Sequence, residues 1–178
     1  MKRKRGQLDT ITGPPGDVEW TTTVTARLPN CPGVLTGWEM LASPTRWPEW
    51  RSPSEMRSAD VVTTLVPPAR EPLQAGDEYV VKVSRYMCIR CRVLESSASS
   101  VREPNAEMVF DAVGLAMGGL VKARFRFTVF TGDDGSVMAR ADEKVDSLSF
   151  LSPNRETLGN EHEHTFRDLN ASFQPARS

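Results

Sequence analysis

Glu143 and His162 are the two residues of this sequence whose surroundings point most directly to chemistry. Glu143 interrupts an alternating apolar series that predicts one face of a β-strand, formed by Val137, Ala139, Ala141 and Val145. His162 interrupts an apolar stripe at helical spacing, formed by Leu158, Phe166 and Leu169. A carboxyl group in an apolar pocket can act as a general acid or base, and a histidine titrates near neutral pH. If both side chains faced one cavity, the pair could supply the acid and base for aldol-type ring closure, or for enolisation followed by loss of water.

The same two positions also have a purely structural interpretation. Glu143 could lie at the end of the sheet and face solvent, and His162 could be a partly exposed helix residue beside Glu161 and Glu163. Sequence periodicity does not separate these interpretations, because it gives the face of an element and not what covers that face.

Tyr79, Arg85 and Asp111 are weaker catalytic candidates. Tyr79 is on the inward register of its predicted strand. The other two lie near strand ends, where a slip of one residue would move a side chain to the opposite face of the sheet. We therefore expect the catalytic pair to be Glu143 and His162.

The sequence offers no signature of a metal or cofactor site. Cys88-Ile-Arg-Cys91 has CxxC spacing, but residues three apart in a strand point to opposite faces, so the two thiols would diverge. His162-Glu-His164 places its two imidazoles about 200° apart on a helix, which is poor for chelation. A GxSxG, an HExxH, a P-loop and a GxGxxG after a strand are absent from the sequence. We expect neither a metal nor a cofactor.

The elements that position these residues can be predicted from apolar periodicity and turn residues. They are, in order, a strand over Val18–Leu28, a helix between Gly33 and Pro44, a helical turn carrying Trp47 and Trp50, a strand over Met56–Val66, further strands around Tyr79–Val83, Met87–Val93, Met108–Ala112, Val121–Val129 and Val137–Val145, and a closing helix over Ser152–Phe173. Gly132-Asp-Asp-Gly135 predicts a hairpin turn between the last two strands. Each strand of the meander is predicted to have one face toward solvent.

Three short motifs carry a resemblance to a known superfamily. Trp38-Glu-Met-Leu41, Trp47-Pro-Glu-Trp50 and Leu73-Gln-Ala-Gly76, with the element order above, resemble the START-like or Bet v 1-like (SRPBCC) superfamily, of the polyketide cyclase/dehydrase type. The resemblance spans Asp17 to Gln174 and implies an α+β helix-grip fold. In that fold, a curved antiparallel sheet of six to seven strands wraps around a long C-terminal helix, with two short helices near the N-terminus. The shared motifs serve the fold, so no catalytic residue is transferred from the family.

A single helix does not fill the concave side of such a sheet, and several predicted inward positions are small. These small residues are Ala112, Ala123, Ala139 and Ala141. We expect a cavity of more than about 300 Å³ between the sheet and the closing helix. The residues predicted to bind its ligand are Tyr79, Val81, Met87, Ile89, Met108, Phe110, Phe125, Phe127 and Phe166. A solid, filled core is the alternative interpretation of the same apolar face.

Charge and composition limit the partners. The 178 residues include 22 Lys plus Arg and 23 Asp plus Glu, a balance that gives no support to nucleic-acid or acidic-membrane binding. No apolar stretch approaches the roughly 20 residues needed to span a bilayer, and the odd set of three cysteines fits a reducing, cytoplasmic location. We expect a disordered leader over residues 1–16, one ligand-binding domain over 17–174 and a tail over 175–178. Lys2-Arg3-Lys4-Arg5 is interpreted as a solvated tail or a targeting signal. The sequence does not predict the oligomeric state.

The resemblance and the predicted cavity together suggest three classes of function. The first is cofactor-independent cyclisation or dehydration of a polyketide-like or aromatic intermediate in secondary metabolism. The second is a non-catalytic carrier or sensor of a lipid-like hydrophobic ligand, and the third is a protein-binding, cochaperone-like module. Buried polar groups that converge on the pocket would favour the enzyme, and an entirely apolar lining would favour the carrier.

Overall fold

The computed structural model describes residues 18–51, 64–65, 71–84, 87–98, 105–114, 121–147 and 155–174. The predicted leader, the basic run within it, the C-terminal tail and the weaker candidate Arg85 all lie outside these ranges. The described elements are β1 (Thr22–Arg27), α1 (Val34–Leu41), α2 (Trp47–Trp50), β2 (Thr64–Leu65), β3 (Glu78–Ser84), β4 (Met87–Ala98), β5 (Asn105–Gly114), β6 (Val121–Thr131), β7 (Val137–Ser147) and α3 (Arg155–Ser172). None of the described helices has the length and apolar character needed to cross a membrane.

The strands form one curved antiparallel sheet of seven strands, in the order β1-β7-β6-β5-β4-β3-β2. The strands β3 to β7 follow one another as a meander. Strand β1 forms one edge of the sheet by pairing with β7, and β2 forms the other edge by pairing with β3. Two short helices precede the meander and one long helix follows it. The predicted helix-grip fold is therefore confirmed, including the number of strands.

The turn between β6 and β7 follows the predicted hairpin. The backbone N–H of Gly135 donates to the Gly132 carbonyl at 2.9 Å, and the N–H of Gly132 donates to the Ser136 carbonyl at 2.8 Å. Gly135 has a φ of 79°, a conformation that glycine adopts without the steric cost borne by other residues. This turn sets the register of β6 against β7, and with it the position of Glu143.

The concave face of the sheet carries the apolar side of every long strand. Directly paired residues share a face, so Phe110 on β5, Phe125 on β6 and Glu143 on β7 lie in one row across the sheet. The largest buried apolar side chains around this face include Leu28, Trp38, Leu73, Tyr79, Val93, Met108, Val129, Phe166 and Leu169. The core therefore lies between the concave face and the three helices.

Helices α1 and α2 close one end of this core. Val34, Trp38 and Leu41 are buried on α1, whereas Leu35 is 52% exposed on its opposite side. The tryptophans of α2 are also buried, and the indole Nε1 of Trp47 donates to the carbonyl of Leu41 at 3.0 Å. That hydrogen bond satisfies the one polar atom of the Trp47 ring and ties α2 to the end of α1.

The convex face of β5 is buried, so the prediction that every strand has one solvent-facing side is wrong for this strand. Val109, Asp111 and Val113 lie on that face and are buried. Arg124, the directly paired residue on β6, donates from Nε to Oδ1 of Asp111 at 2.7 Å and from Nη2 to Oδ2 at 3.1 Å. Asp111 therefore forms a bidentate buried ion pair on the face opposite Glu143, which removes it from the candidate site.

A second polar network on the convex face joins β1, β6 and β7 around Asp142. The Thr23 hydroxyl donates to Oδ1 of Asp142 at 2.7 Å, Arg140 Nη2 donates to the same oxygen at 2.8 Å, and Arg126 Nε donates to Oδ2 at 3.0 Å. Burial by itself raises the pKa of Asp142, but the hydrogen bonds from Arg140, Thr23 and Arg126 outweigh that effect and hold the pKa below its usual value. This network locks the edge strand β1 in register.

Candidate functional site

The structure brings Glu143 and His162 into direct contact. Oε2 of Glu143 on β7 lies 2.9 Å from Nε2 of His162 on α3, and both side chains are buried. Glu143 is 2% exposed, so the solvent-facing interpretation of this carboxyl group does not hold. His162 is 8% exposed, so it is not a surface helix residue either. The two residues form one hydrogen-bonded unit rather than two separate groups on opposite walls.

Glu143 is held in place from both sides of its strand. On β6 it pairs with Phe125, and on β1 it pairs with Thr22. Its backbone carbonyl accepts hydrogen bonds from the N–H of Thr21 at 2.9 Å and from the hydroxyl of Thr21 at 2.8 Å. The carboxyl group therefore projects from a backbone segment that has little freedom to move.

Two phenylalanine rings flank the imidazole of His162. The ring of Phe125 lies 6.1 Å from it and the ring of Phe127 lies 5.9 Å from it, both in edge-to-face geometry. Nδ1 of His162 makes no hydrogen bond to any residue within the described ranges. With Glu143 ionised, Nε2 donates to the carboxylate, and Nδ1 then presents its lone pair beside the aromatic rings.

The centre of the concave face is incompletely covered. Phe125 and Phe127 face α3 from the middle of the sheet and yet are only half-buried. Ile89 and Val24, on the same face of the sheet, are also half-buried. Aromatic side chains that face a helix and remain partly accessible indicate space between the sheet and the helix.

The residues predicted to bind a ligand lie on this concave face where the structure describes them. Tyr79, Val81, Met108, Phe110 and Phe166 are buried, and Ile89, Phe125 and Phe127 are half-buried. Met87 lies in β4, but its side chain is outside what the structure describes. Their role in ligand binding, like the volume of the cavity, stays a prediction.

A run of aromatic contacts connects these residues. The ring of Tyr79 lies 6.2 Å from that of Phe110, which stacks on Phe125 at 5.1 Å. Phe127 continues the run to Phe166 on α3 at 6.3 Å. Aromatic surface therefore extends from β3, across the sheet, to the closing helix.

A cationic group that sequence reasoning missed lies at the end of this aromatic run. Arg51 follows α2 directly; its guanidinium carbon lies 5.1 Å from the centre of the Trp47 ring and 5.8 Å from that of Trp50. Nη2 of Arg51 donates to the hydroxyl of Thr165 on α3 at 2.9 Å. The available signal was an arginine next to two tryptophans, a combination suited to cation–π contacts.

The CxxC segment does not form a site. Cys91 pairs with Tyr79 and is buried on the concave face, whereas Cys88 pairs with Lys82 and is half-buried on the other register of the strand. Burial raises the pKa of the Cys91 thiol to about 12, so it is not a nucleophile at neutral pH. Among the described residues, no group of three or more His, Cys, Asp or Glu side chains is placed to hold a metal ion.

Comparisons with known proteins bear on the fold. No family model and no curated protein matches the sequence. Among solved structures, the chain is similar to a hypothetical protein of Helicobacter pylori, with a TM-score of 0.67 and 9% identity over 96% of this chain and 100% of that one. It is similar to Ara h 8.0201, of the Bet v 1 family, with a TM-score of 0.55 and 9% identity over 85% of this chain and 95% of that one.

A third similar structure is a putative protein encoded in the dynemicin biosynthetic locus. The TM-score is 0.52 and the identity 17%, over 84% of this chain and 45% of that one, so this chain corresponds to about half of that protein. These matches, together with one to a Panax ginseng major latex-like protein, show that the chain has the Bet v 1-like or START-like fold. At these identities they show the fold alone.

Proposed function

We propose that the protein binds an apolar small molecule, aromatic or polyketide-like, between the concave face of the sheet and α3. We further propose that it catalyses a cofactor-independent ring closure or dehydration of that molecule at Glu143 and His162. The fold supports the first part, since its concave side suits a hydrophobic ligand. The half-buried rings of Phe125 and Phe127 support it further.

One observation carries the catalytic part of the proposal: the buried hydrogen bond between Glu143 and His162 on the apolar side of the sheet. An apolar core disfavours polar groups unless they are paired, and a pair of apolar residues would fill the same space at lower cost. A carboxylate bonded to one imidazole nitrogen also orients the ring and stabilises its protonated form, which is what a general base requires.

In the proposed reaction, the side chains of the protein take part only in proton transfers. Nδ1 of His162 removes a proton from a carbon next to a carbonyl group, and Glu143 stabilises the imidazolium that results. The enolate carbon then bonds to a second carbonyl carbon of the same molecule, and the imidazolium returns its proton to the oxygen of that carbonyl. Removal of a second proton from the same carbon, with protonation of the new hydroxyl group, releases water and leaves a carbon–carbon double bond.

The aromatic rings near the pair have a defined part in this scheme. Phe125 and Phe127 restrict the position of the imidazole and keep water from the reacting carbon. An aromatic or polyene ligand would stack on these two half-buried rings, and the buried rings of Phe110 and Tyr79 pack beside them and extend the apolar surroundings. A ligand bound there would have its long axis across the strands.

The setting of this function is also a proposal. The three cysteines are unpaired, which fits a cytoplasmic enzyme. A structural neighbour from a biosynthetic locus supports a role in secondary metabolism. Leu35 is the one large hydrophobic side chain that is exposed among the described residues, so a protein-docking patch is not favoured there.

Binding can be tested without knowing the natural ligand. Anilinonaphthalene sulfonate is an aromatic probe with one sulfonate group that becomes fluorescent in an apolar pocket. We expect saturable binding by the folded protein, and we expect Ala141→Leu, which adds bulk beside Phe127 on the concave face, to weaken it at least 10-fold. Equal binding by the variant would place the probe elsewhere on the protein.

Catalysis can be tested with a generic carbon acid. Nitrobenzisoxazole is an apolar aromatic compound that opens when a base removes its ring proton, so its turnover reports a base in an apolar pocket. Glu143→Gln and His162→Ala should lower turnover by about 10² to 10⁴, the usual contribution of a general acid or base, with probe binding preserved. Glu39→Gln on α1 and His164→Ala on α3 are matched controls that should keep full turnover.

The outcome separates the enzyme from the carrier. Unchanged turnover in both site variants would remove the catalytic assignment. If probe binding remained in that case, the protein would be a non-catalytic carrier or sensor of a hydrophobic ligand.

A further inference from the structure

Arg51 is a cation held between α2 and α3 that forms no ion pair with a described residue. No carboxylate of a described residue lies within ion-pair distance of its guanidinium. Its contacts are the Thr165 hydroxyl at 2.9 Å and the faces of Trp47 and Trp50. A guanidinium has five N–H donors, so most of its hydrogen-bonding capacity is unused by these contacts.

The electrostatic surroundings of Arg51 compensate its positive charge only in part. Burial lowers the pKa of Arg51, and the carboxylates of Glu161 and Asp168 oppose that effect from longer range. Arginine nevertheless stays protonated at neutral pH. The protein therefore keeps a half-buried positive charge at the end of its aromatic surface, compensated by two indole faces and by carboxylates at longer range, and a bound anion would stabilise it further.

Tyr79 is the second unsatisfied group at the same place. Its side chain is 1% exposed, and its hydroxyl makes no hydrogen bond of normal geometry in the described part of the chain; its polar neighbour there is the thiol of Cys91, a weak partner. Its ring meets that of Trp47 edge to face at 5.9 Å, so Tyr79 and Arg51 contact the same indole. A buried hydroxyl without a partner costs free energy, and a ligand oxygen would satisfy it.

The separation between His162 and the pair Arg51 and Tyr79 determines how long a ligand must be to contact both places. Thr165, which anchors Arg51, follows His162 by three residues on α3, so their Cβ atoms lie about 5–6 Å apart on one face of the helix. The Tyr79 ring reaches His162 through Phe110 and Phe125. One bound molecule could therefore contact both places.

We propose that Arg51 and Tyr79 form a subsite for a carboxylate of the ligand, which holds an apolar aromatic acid with its reacting carbon at Glu143 and His162. This inference rests on the proposed function and adds the chemical class of the ligand to it. A planar carboxylate fits the planar fork of a guanidinium, and its second oxygen accepts the hydrogen bond of the Tyr79 hydroxyl. A single arginine matches one negative charge better than the two of a phosphate.

The test compares two probes of the same shape, one charged and one neutral. Naphthoate carries a carboxylate on an apolar two-ring body, and naphthamide replaces it with a neutral amide of the same shape. Calorimetry on the full chain should show that naphthoate binds at least about 10-fold more tightly than naphthamide, the scale of a hydrogen bond to a charged group. Arg51→Gln should abolish this preference, and Tyr79→Phe should reduce it several-fold.

Arg46→Gln is the matched control, since it removes the same charge five residues earlier in the chain at an exposed side chain. It should keep the full preference. Arg51→Lys keeps the charge but loses the fork, and should lower the preference without abolishing it.

Each outcome decides the proposal. Equal affinity of the unmodified protein for the two probes would overturn the carboxylate subsite and leave the apolar pocket intact. Failure of both probes to bind would overturn the pocket itself and the subsite with it. If Arg51→Gln fails to fold, which circular dichroism would reveal, the preference of the unmodified protein and its several-fold reduction in Tyr79→Phe still decide the question.

Discussion

The buried pair of Glu143 and His162 predicts an unusual pattern of stability. Replacing His162 with Phe keeps an aromatic ring between Phe125 and Phe127 but leaves the carboxyl group of Glu143 without its partner. Breaking a buried pair by removing one partner costs about 3–5 kcal/mol. For a chain of this length each kcal/mol lowers Tm by about 2–4 °C, so we expect a decrease of roughly 6 to 12 °C from a loss of about 3 kcal/mol.

The double variant should recover this loss. With Glu143→Leu added to His162→Phe, no buried polar group is left unpaired, and the unfolding free energy should return to within about 1 kcal/mol of the unmodified protein or exceed it. Urea denaturation followed by circular dichroism measures all four proteins of the cycle. A loss below about 0.5 kcal/mol for His162→Phe, with additive single effects, would refute the reasoning, because the pair would then contribute no coupling.

Three further predictions concern other parts of the fold. Phe166→Ala and Leu169→Ala should each cost about 2–5 kcal/mol in denaturant melts because both side chains are buried against the sheet, whereas Leu35→Ala, at a 52% exposed position, should cost less than about 0.5 kcal/mol. The pKa of Asp142 is held below its usual value near 3.9, so its ionised form stabilises the fold above that pH. Asp142→Asn should therefore be less stable than the unmodified protein at neutral pH, and the gap should narrow as the pH falls below about 4; a gap independent of pH would contradict this. The thiol of Cys91, buried and with a pKa of about 12, should react with iodoacetamide only after unfolding, and mass spectrometry of native and urea-treated samples checks this.

Much of the fold could be predicted from the sequence because its strands alternate regularly. That alternation correctly placed Phe110, Phe125 and Glu143 on one face, and the helical stripe placed His162 toward the core. What periodicity could not give was the contact between Glu143 and His162, since it depends on the curvature of the sheet and the path of α3 above it.

Other features were missed because the pattern carries no signal for them. Arg51 belongs to no apolar stripe, and only its position after two tryptophans pointed to a half-buried cation. Asp111 was expected near a strand end, where its face was uncertain, whereas it lies inside β5 on a covered face; alternation shows which face is polar and not whether that face is covered. Its pairing with Arg124 depends on the register of β5 against β6, which the sequence of one strand does not contain.

The pairing of β1 with β7 has a consequence for how the chain reaches its folded form during synthesis. The hydrogen bond from the Thr21 hydroxyl to the Glu143 carbonyl joins residues 122 positions apart, so β1 has no partner until almost the entire sheet has left the ribosome. Contacts of such long range form late, because closing the intervening loop costs entropy that no local contact returns. During that interval β1 is an unpaired strand with free N–H and C=O groups, which can pair with other chains. We expect the site around Glu143 to form only when β1, the last strand to pair, has joined the sheet. An N-terminal deletion through Arg27 should therefore leave a collapsed sheet that does not bind the aromatic probe.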